Sequence, residues 1–236
     1  MGTKKPSRPA RSSATSQAPQ LFLAAVRKGD LHRVKTLLAS HPDLKGAKTD
    51  DGSSVVMLAL YQGHPKIAEF LRSQGAELSI YDASAAGDLH RVEQLLAEDP
   101  RLIGFMSHDG WTPLHLAAFF GHVDVAEFLV EHGADMHVIS KNENSVMPLH
   151  SALANRQADT ATLLMERGAD IEARQATYEY TPMHYAAANG LTLIVQRLLE
   201  LGAKTTVEGL DGKKPVDLAR EKGHQSVVDL LTHHNP

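Results

Sequence analysis

The chain has 236 residues, long enough to bury a sizeable core. It is 42% hydrophobic and 22% charged with a net charge of −4, which gives no global electrostatic drive toward nucleic acid or a membrane surface. It has no cysteine, which excludes a disulfide framework, thiolate zinc sites, iron–sulfur ligation and cysteine nucleophiles together.

Residues 1–20 contain Lys4, Lys5, Arg8 and Arg11, no acid, and three prolines among four serines. Apart from Met1 they carry no large apolar side chain to offset the entropy of ordering, so the expectation is a disordered basic tail. No apolar segment follows the early charges, so no secretory signal is expected, and Pro6 stands where a myristoylation signal needs Ser or Thr. No apolar run approaches the ~20 residues that span a bilayer. A cytoplasmic location is the resulting expectation.

From residue 21 onward a repeat organises the chain. Thr112-Pro113-Leu114-His115-Leu116-Ala117-Ala118, Met147-Pro148-Leu149-His150-Ser151-Ala152 and Thr181-Pro182-Met183-His184-Tyr185-Ala186-Ala187 are three copies of one motif. Residues marking the end of each first helix are Gly29, Gly63, Gly87, Gly121, Arg156, Gly190 and Gly223. Their successive separations are 34, 24, 34, 35, 34 and 33, which makes seven units over residues 21–236, the first and last acting as caps. In the unit at 112–122, Thr112 is a good N-cap and Pro113 suits the first helical position of a short helix. Leu114, Ala117, Ala118 and Gly121 then form one apolar stripe, and Gly121 supplies the left-handed residue that stops the helix. A second helix follows; in unit six its core face is Ile194, Val195, Leu198 and Leu199. Asp51-Gly52, Asp109-Gly110 and Asp211-Gly212 mark a turn before the next unit. In the last unit a helix over 225–232 is expected to bury Val227, Val228, Leu230 and Leu231.

Two irregularities stand out. Gly29-Asp30-Leu31-His32-Arg33-Val34 recurs 58 residues later as Gly87-Asp88-Leu89-His90-Arg91-Val92, which indicates an internal duplication of a two-unit block. The 24-residue step between Gly63 and Gly87 omits about ten residues, the length of one finger loop, so a finger should be missing there and leave a notch.

The motif resembles the ankyrin repeat, whose signature is Thr-Pro-Leu-His-x-Ala with a period of about 33. The resemblance covers about residues 21–233, and Gly110 through His122 is similar to a unit found in soluble bacterial ankyrin-repeat proteins. It implies an all-α repeat solenoid of helix–turn–helix units with finger loops, an elongated monomer without cofactor, and a non-enzymatic protein-binding module or scaffold that meets its partner through a concave groove and fingers.

The fourteen histidines mostly occupy repeated addresses. Equivalent positions in stacked helices lie ~8–10 Å apart, too far to share a metal, so a hydrogen-bonding role within and between repeats is expected. No His-Glu-x-x-His, phosphate-cradling loop or Gly-x-Ser-x-Gly elbow occurs, so no catalytic, cofactor or metal residues are assigned. Candidate partner-binding residues are Tyr61, Trp111, Leu116, Phe119, Phe120, Tyr185 and Asn189. Leu116 and Phe119 point away from the core stripe at 100° per residue, with Phe120 at its flank, and Tyr61, Tyr185 and Asn189 hold equivalent positions. Trp111 has equally a structural and a binding reading. The alternative function is a small-molecule or metal-dependent enzyme or regulator hidden in an interaction fold. Nucleic-acid binding is opposed by the body, whose 20 basic and 28 acidic residues give −8.

Overall fold

A computed structural model describes residues 13–233. Helices dominate it, and among the described residues the β-structure is an isolated bridge between Lys48 and Ser54. The chain is an all-α repeat solenoid, divided into two compact units at Glu77 and Leu78.

The N-terminal unit holds two helix pairs: α1 (Ser13–Arg27) with α2 (Leu31–Ser40), and α3 (Val55–Tyr61) with α4 (Pro65–Ser73). The C-terminal unit holds five: α5 (Ile80–Ala86) with α6 (Leu89–Glu98), α7 (Pro113–Phe120) with α8 (Val123–Glu131), and α9 (Pro148–Ala154) with α10 (Ala158–Glu166). The last two pairs are α11 (Pro182–Ala188) with α12 (Thr192–Glu200), and α13 (Pro215–Glu221) with α14 (Gln225–His233). These are the seven expected repeats. Within the C-terminal unit the first helices pack in the order α5, α7, α9, α11, α13, with the second helices behind them.

The start of α1 corrects the boundary of the tail. Residues 13–20, assigned to a disordered segment, are helical, and Ala18 is buried. Ala18 lies four residues before Phe22 and eight before Val26, so the buried face of α1 extends one turn further back than the large side chains suggested. Even Pro19 is accommodated inside this helix. Residues 1–12 lie outside the described ones.

Helix boundaries follow the anticipated caps. Ser54 accepts from the Met57 amide at 2.9 Å, and Asp30 and Asp88 cap α2 and α6 in the same way. Proline opens α4, α7, α9, α11 and α13. The chain passes from α4 to α5 through only 74–79, with no finger between them. There Ser79 and Asp82 form a reciprocal capping box in place of the Thr-Pro opening. In the last repeat Val227, Val228 and Leu231 are buried, while Leu230 is only half-buried.

The repeats are fastened in two directions by imidazoles. His115 Nε2 meets the Val146 carbonyl at 2.9 Å, His150 Nε2 that of Ala173 at 3.1 Å, and His184 Nε2 that of Lys213 at 3.2 Å. Each reaches forward to the following finger. His64, His122 and His224 reach back instead, to the carbonyls of Arg27, Ala85 and Ala188 at 3.2, 2.9 and 3.1 Å. The backward ring lies over the glycine of the preceding repeat. A Cβ on Gly87 would sit 2.5 Å from the His122 ring, and the φ of +69° already disfavours a side chain there.

Candidate functional site

Partly exposed aromatic side chains lie on the first helices and fingers of the C-terminal unit. Thr112 caps α7, and its hydroxyl also donates to His115 Nδ1 at 2.7 Å, so the imidazole carries its proton on Nε2 toward Val146. His115 and His150 are almost wholly enclosed, and burial pushes each imidazole down to about 4 against weaker opposition from the carbonyls. Both rings are therefore neutral at physiological pH. Burial lowers His184 as well. These histidines are structural fasteners, as expected.

Trp111 closes the finger before α7. Its amide donates to Ser107 Oγ at 3.0 Å, and its carbonyl accepts from the Ser107 amide at 2.8 Å. Its side chain is buried, edge-on to His115 at 5.4 Å and tilted against Phe119 at 6.2 Å. The ring thus packs inside the repeat between His115 and Phe119. Phe119 and Phe120 are half-buried and meet edge to face at 5.1 Å.

Leu116 does not join them. It is 1% exposed, which overturns its assignment to an outward face. The helical wheel assumed one covered side, whereas α7 packs against α5, α9 and α8 and so is covered on three. Asn189 is also committed elsewhere: it caps α11, and its Nδ2 donates to the Leu153 and Tyr185 carbonyls at 3.1 and 3.2 Å. Asn155 does the same job one repeat earlier, bonding the Phe119 carbonyl at 2.6 Å. Tyr61 is 39% exposed at the end of α3, in the N-terminal unit.

A second aromatic cluster surrounds Tyr185. Its half-buried ring is edge-on to His150 at 5.4 Å and to Tyr180 at 6.4 Å. Tyr180 lies flat on His184 at 4.9 Å, and its hydroxyl donates to Asp211 at 2.7 Å, which holds that carboxyl below its ordinary range. Tyr178 stacks on Tyr180 at 5.6 Å but leaves 54% of its surface exposed. Leu210, 66% exposed, donates its amide to the Tyr178 carbonyl at 2.9 Å, so two neighbouring finger tips present Tyr178 and Leu210 from one hydrogen-bonded link.

Tyr180 packs within its finger, whereas Tyr178 and Leu210 protrude, and neither is among the candidates that the sequence offers. An apolar side chain set inside a Gly-Leu-Asp-Gly turn was the available signal. Among the described residues no group of three or more His, Asp or Glu is placed to hold a metal ion, and no helix is long and apolar enough to cross a membrane.

Family profiles described as ankyrin repeats in three copies and as a single ankyrin repeat match residues 80–175 and 178–207. An ankyrin repeat protein nuc-2 from Neurospora crassa is 24% identical over 98% of this chain and 25% of its own length. The human DNA-binding protein RFXANK is 34% identical over 30% of this chain and 27% of its own. A phosphocholine transferase AnkX from Legionella pneumophila is 26% identical over 54% of this chain and 15% of its own. The chain thus spans about a quarter or less of the length of these relatives.

Proposed function

Because the chain belongs to the ankyrin-repeat family, whose repeats generally mediate protein–protein interaction, we propose that it is a non-enzymatic binding module that docks or scaffolds a partner protein. The observation carrying this reading is the pair of partly exposed aromatic clusters on the C-terminal unit, with Tyr178 and Leu210 held outward on linked finger tips. Apolar surface rigidly presented by neighbouring fingers is what an interface needs, since its ordering cost is met before the partner arrives. The contact set is Tyr178, Leu210, Tyr185, Phe119 and Phe120, with Trp111 as support. Tyr61 is a further contact in the N-terminal unit.

The partner is a protein rather than nucleic acid. Residues 78–236 carry 12 basic and 22 acidic residues, a net −10, which opposes a phosphate backbone. The location is cytoplasmic and the state monomeric. The relatives named for enzymes match this chain over part of its repeat region only, so their chemistry is not carried over.

The test is capture by the full chain against a Tyr178→Ser, Leu210→Ser double variant. Both side chains are more than half exposed, so the melting temperature should hold while capture of a defined protein is lost. Undiminished capture would place the interface elsewhere, and turnover of a metabolite panel by the wild type would establish the enzyme alternative.

A further inference from the structure

Repeat five departs from its neighbours in four independent ways. Met147 replaces the capping Thr found at Thr112 and Thr181, and it makes no side-chain cap bond. The nitrogen that this threonine would serve, His150 Nδ1, is buried without a partner. His115 Nδ1 and His184 Nδ1 have their threonine hydroxyls at 2.7 and 2.9 Å. Thr160 Oγ1 on α10 is likewise buried and unpartnered; Ser84 Oγ on α5 is a comparable case outside the repeat.

The backbone tells the same story. Among the described residues, the three non-glycine positions with left-handed φ are Ser145 (46°), Arg156 (60°) and Glu179 (54°), all in or beside this repeat. Arg156 stands at the helix-ending position where Gly29, Gly63, Gly87, Gly121, Gly190 and Gly223 adopt φ between 67° and 83°. A side chain at such a φ is strained, whereas glycine is not. Within the C-terminal unit, packing is also thinnest on the far side of this repeat: α9 meets α11 less extensively than α7 meets α9 or α11 meets α13, and α10 meets α12 less than α8 meets α10.

In a stack stabilised by nearest neighbours, a defective unit with a thin interface is where cooperativity breaks. We propose that repeat five is the joint at which the C-terminal unit opens in its native state, releasing α11–α14 from α5–α8 as a separate cooperative segment. Opening there divides the Phe119 cluster from the Tyr185 cluster, so a partner touching both would favour the closed form, whereas the opening itself requires no partner.

Native-state hydrogen exchange of the full chain tests this. Amides of α9–α12 should exchange faster than those of α7–α8. The Met147→Thr, Arg156→Gly double variant should slow α9–α12 about tenfold while leaving α7–α8 unchanged. Each single variant should give part of the effect, and Thr112→Met should transfer the defect by speeding exchange in α7–α8. Equal protection across α7–α12 in the wild type, or a repaired variant with unaltered exchange, would overturn the proposal.

Discussion

The buried imidazoles make stability depend on acid. His115 and His150 fold with their ionisation pushed down to about 4, below the ordinary 6.5, because burial penalises the cation. Protonation therefore favours the unfolded chain. Their contribution is complete above about pH 6.5 and is lost as the pH falls toward 4, on the order of 3 kcal/mol per ring. The urea midpoint should fall between about pH 7 and pH 4.5, and the fall should shrink in His150→Gln. An unchanged midpoint would mean that the rings ionise freely in the native state. Leu116→Ala should cost about 2–5 kcal/mol in urea unfolding, as a large-to-small change in a filled interior does. Leu193→Ala, at 79% exposure, should cost less than about 0.5 kcal/mol. The roles of the histidines were readable from the sequence because each recurs at a fixed place in the motif. Leu116 was misread because its burial comes from neighbours one repeat away on either side, which a single helix's periodicity does not record.

Helix ends were the most readable elements, since proline and a polar cap open them and glycine closes them with local chemistry alone. The exception was the beginning of α1, where proline and serine composition argued against order and a distant hydrophobic face prevailed. Deleting residues 1–20 should therefore lower the melting temperature by several degrees relative to deleting residues 1–12, because only the longer deletion removes Ala18 and the turn before Phe22. Equal melting temperatures would show that the turn contributes nothing. At the helix-ending Gly29, Gly87, Gly121 and Gly190 the space is already occupied by a side chain of the next repeat. Gly87→Ala places a methyl group against the His122 ring at a left-handed φ, and should destabilise by more than about 1 kcal/mol in urea melts. The finger tips were less readable, because whether a tyrosine in a loop packs or protrudes depends on the adjacent finger, as the contrast between Tyr180 and Tyr178 illustrates.

At the scale of the molecule, the seven repeats, the missing finger and the helical class were all apparent from the spacing of a few residues. The division of the chain into two compact units was not, although it falls at the shortened link between α4 and α5. Removing the last repeat should be severe. Ending the chain at Gly209 uncovers the sides of α11 and α12 that pack on α13 and α14, and it removes the Lys213 carbonyl that His184 engages. The product should aggregate, as light scattering would report; a soluble chain of equal stability would contradict this. The two-way imidazole fasteners also bear on how the protein comes into being. A repeat emerging from the ribosome has a ring whose forward acceptor lies 23 to 31 residues ahead in the three bonds of this kind, and a helix end whose backward donor is 36 or 37 residues ahead. Each newly made repeat must therefore wait, with polar groups still hydrated, for about one further repeat to be synthesised, so that order should advance along the nascent chain one repeat behind translation.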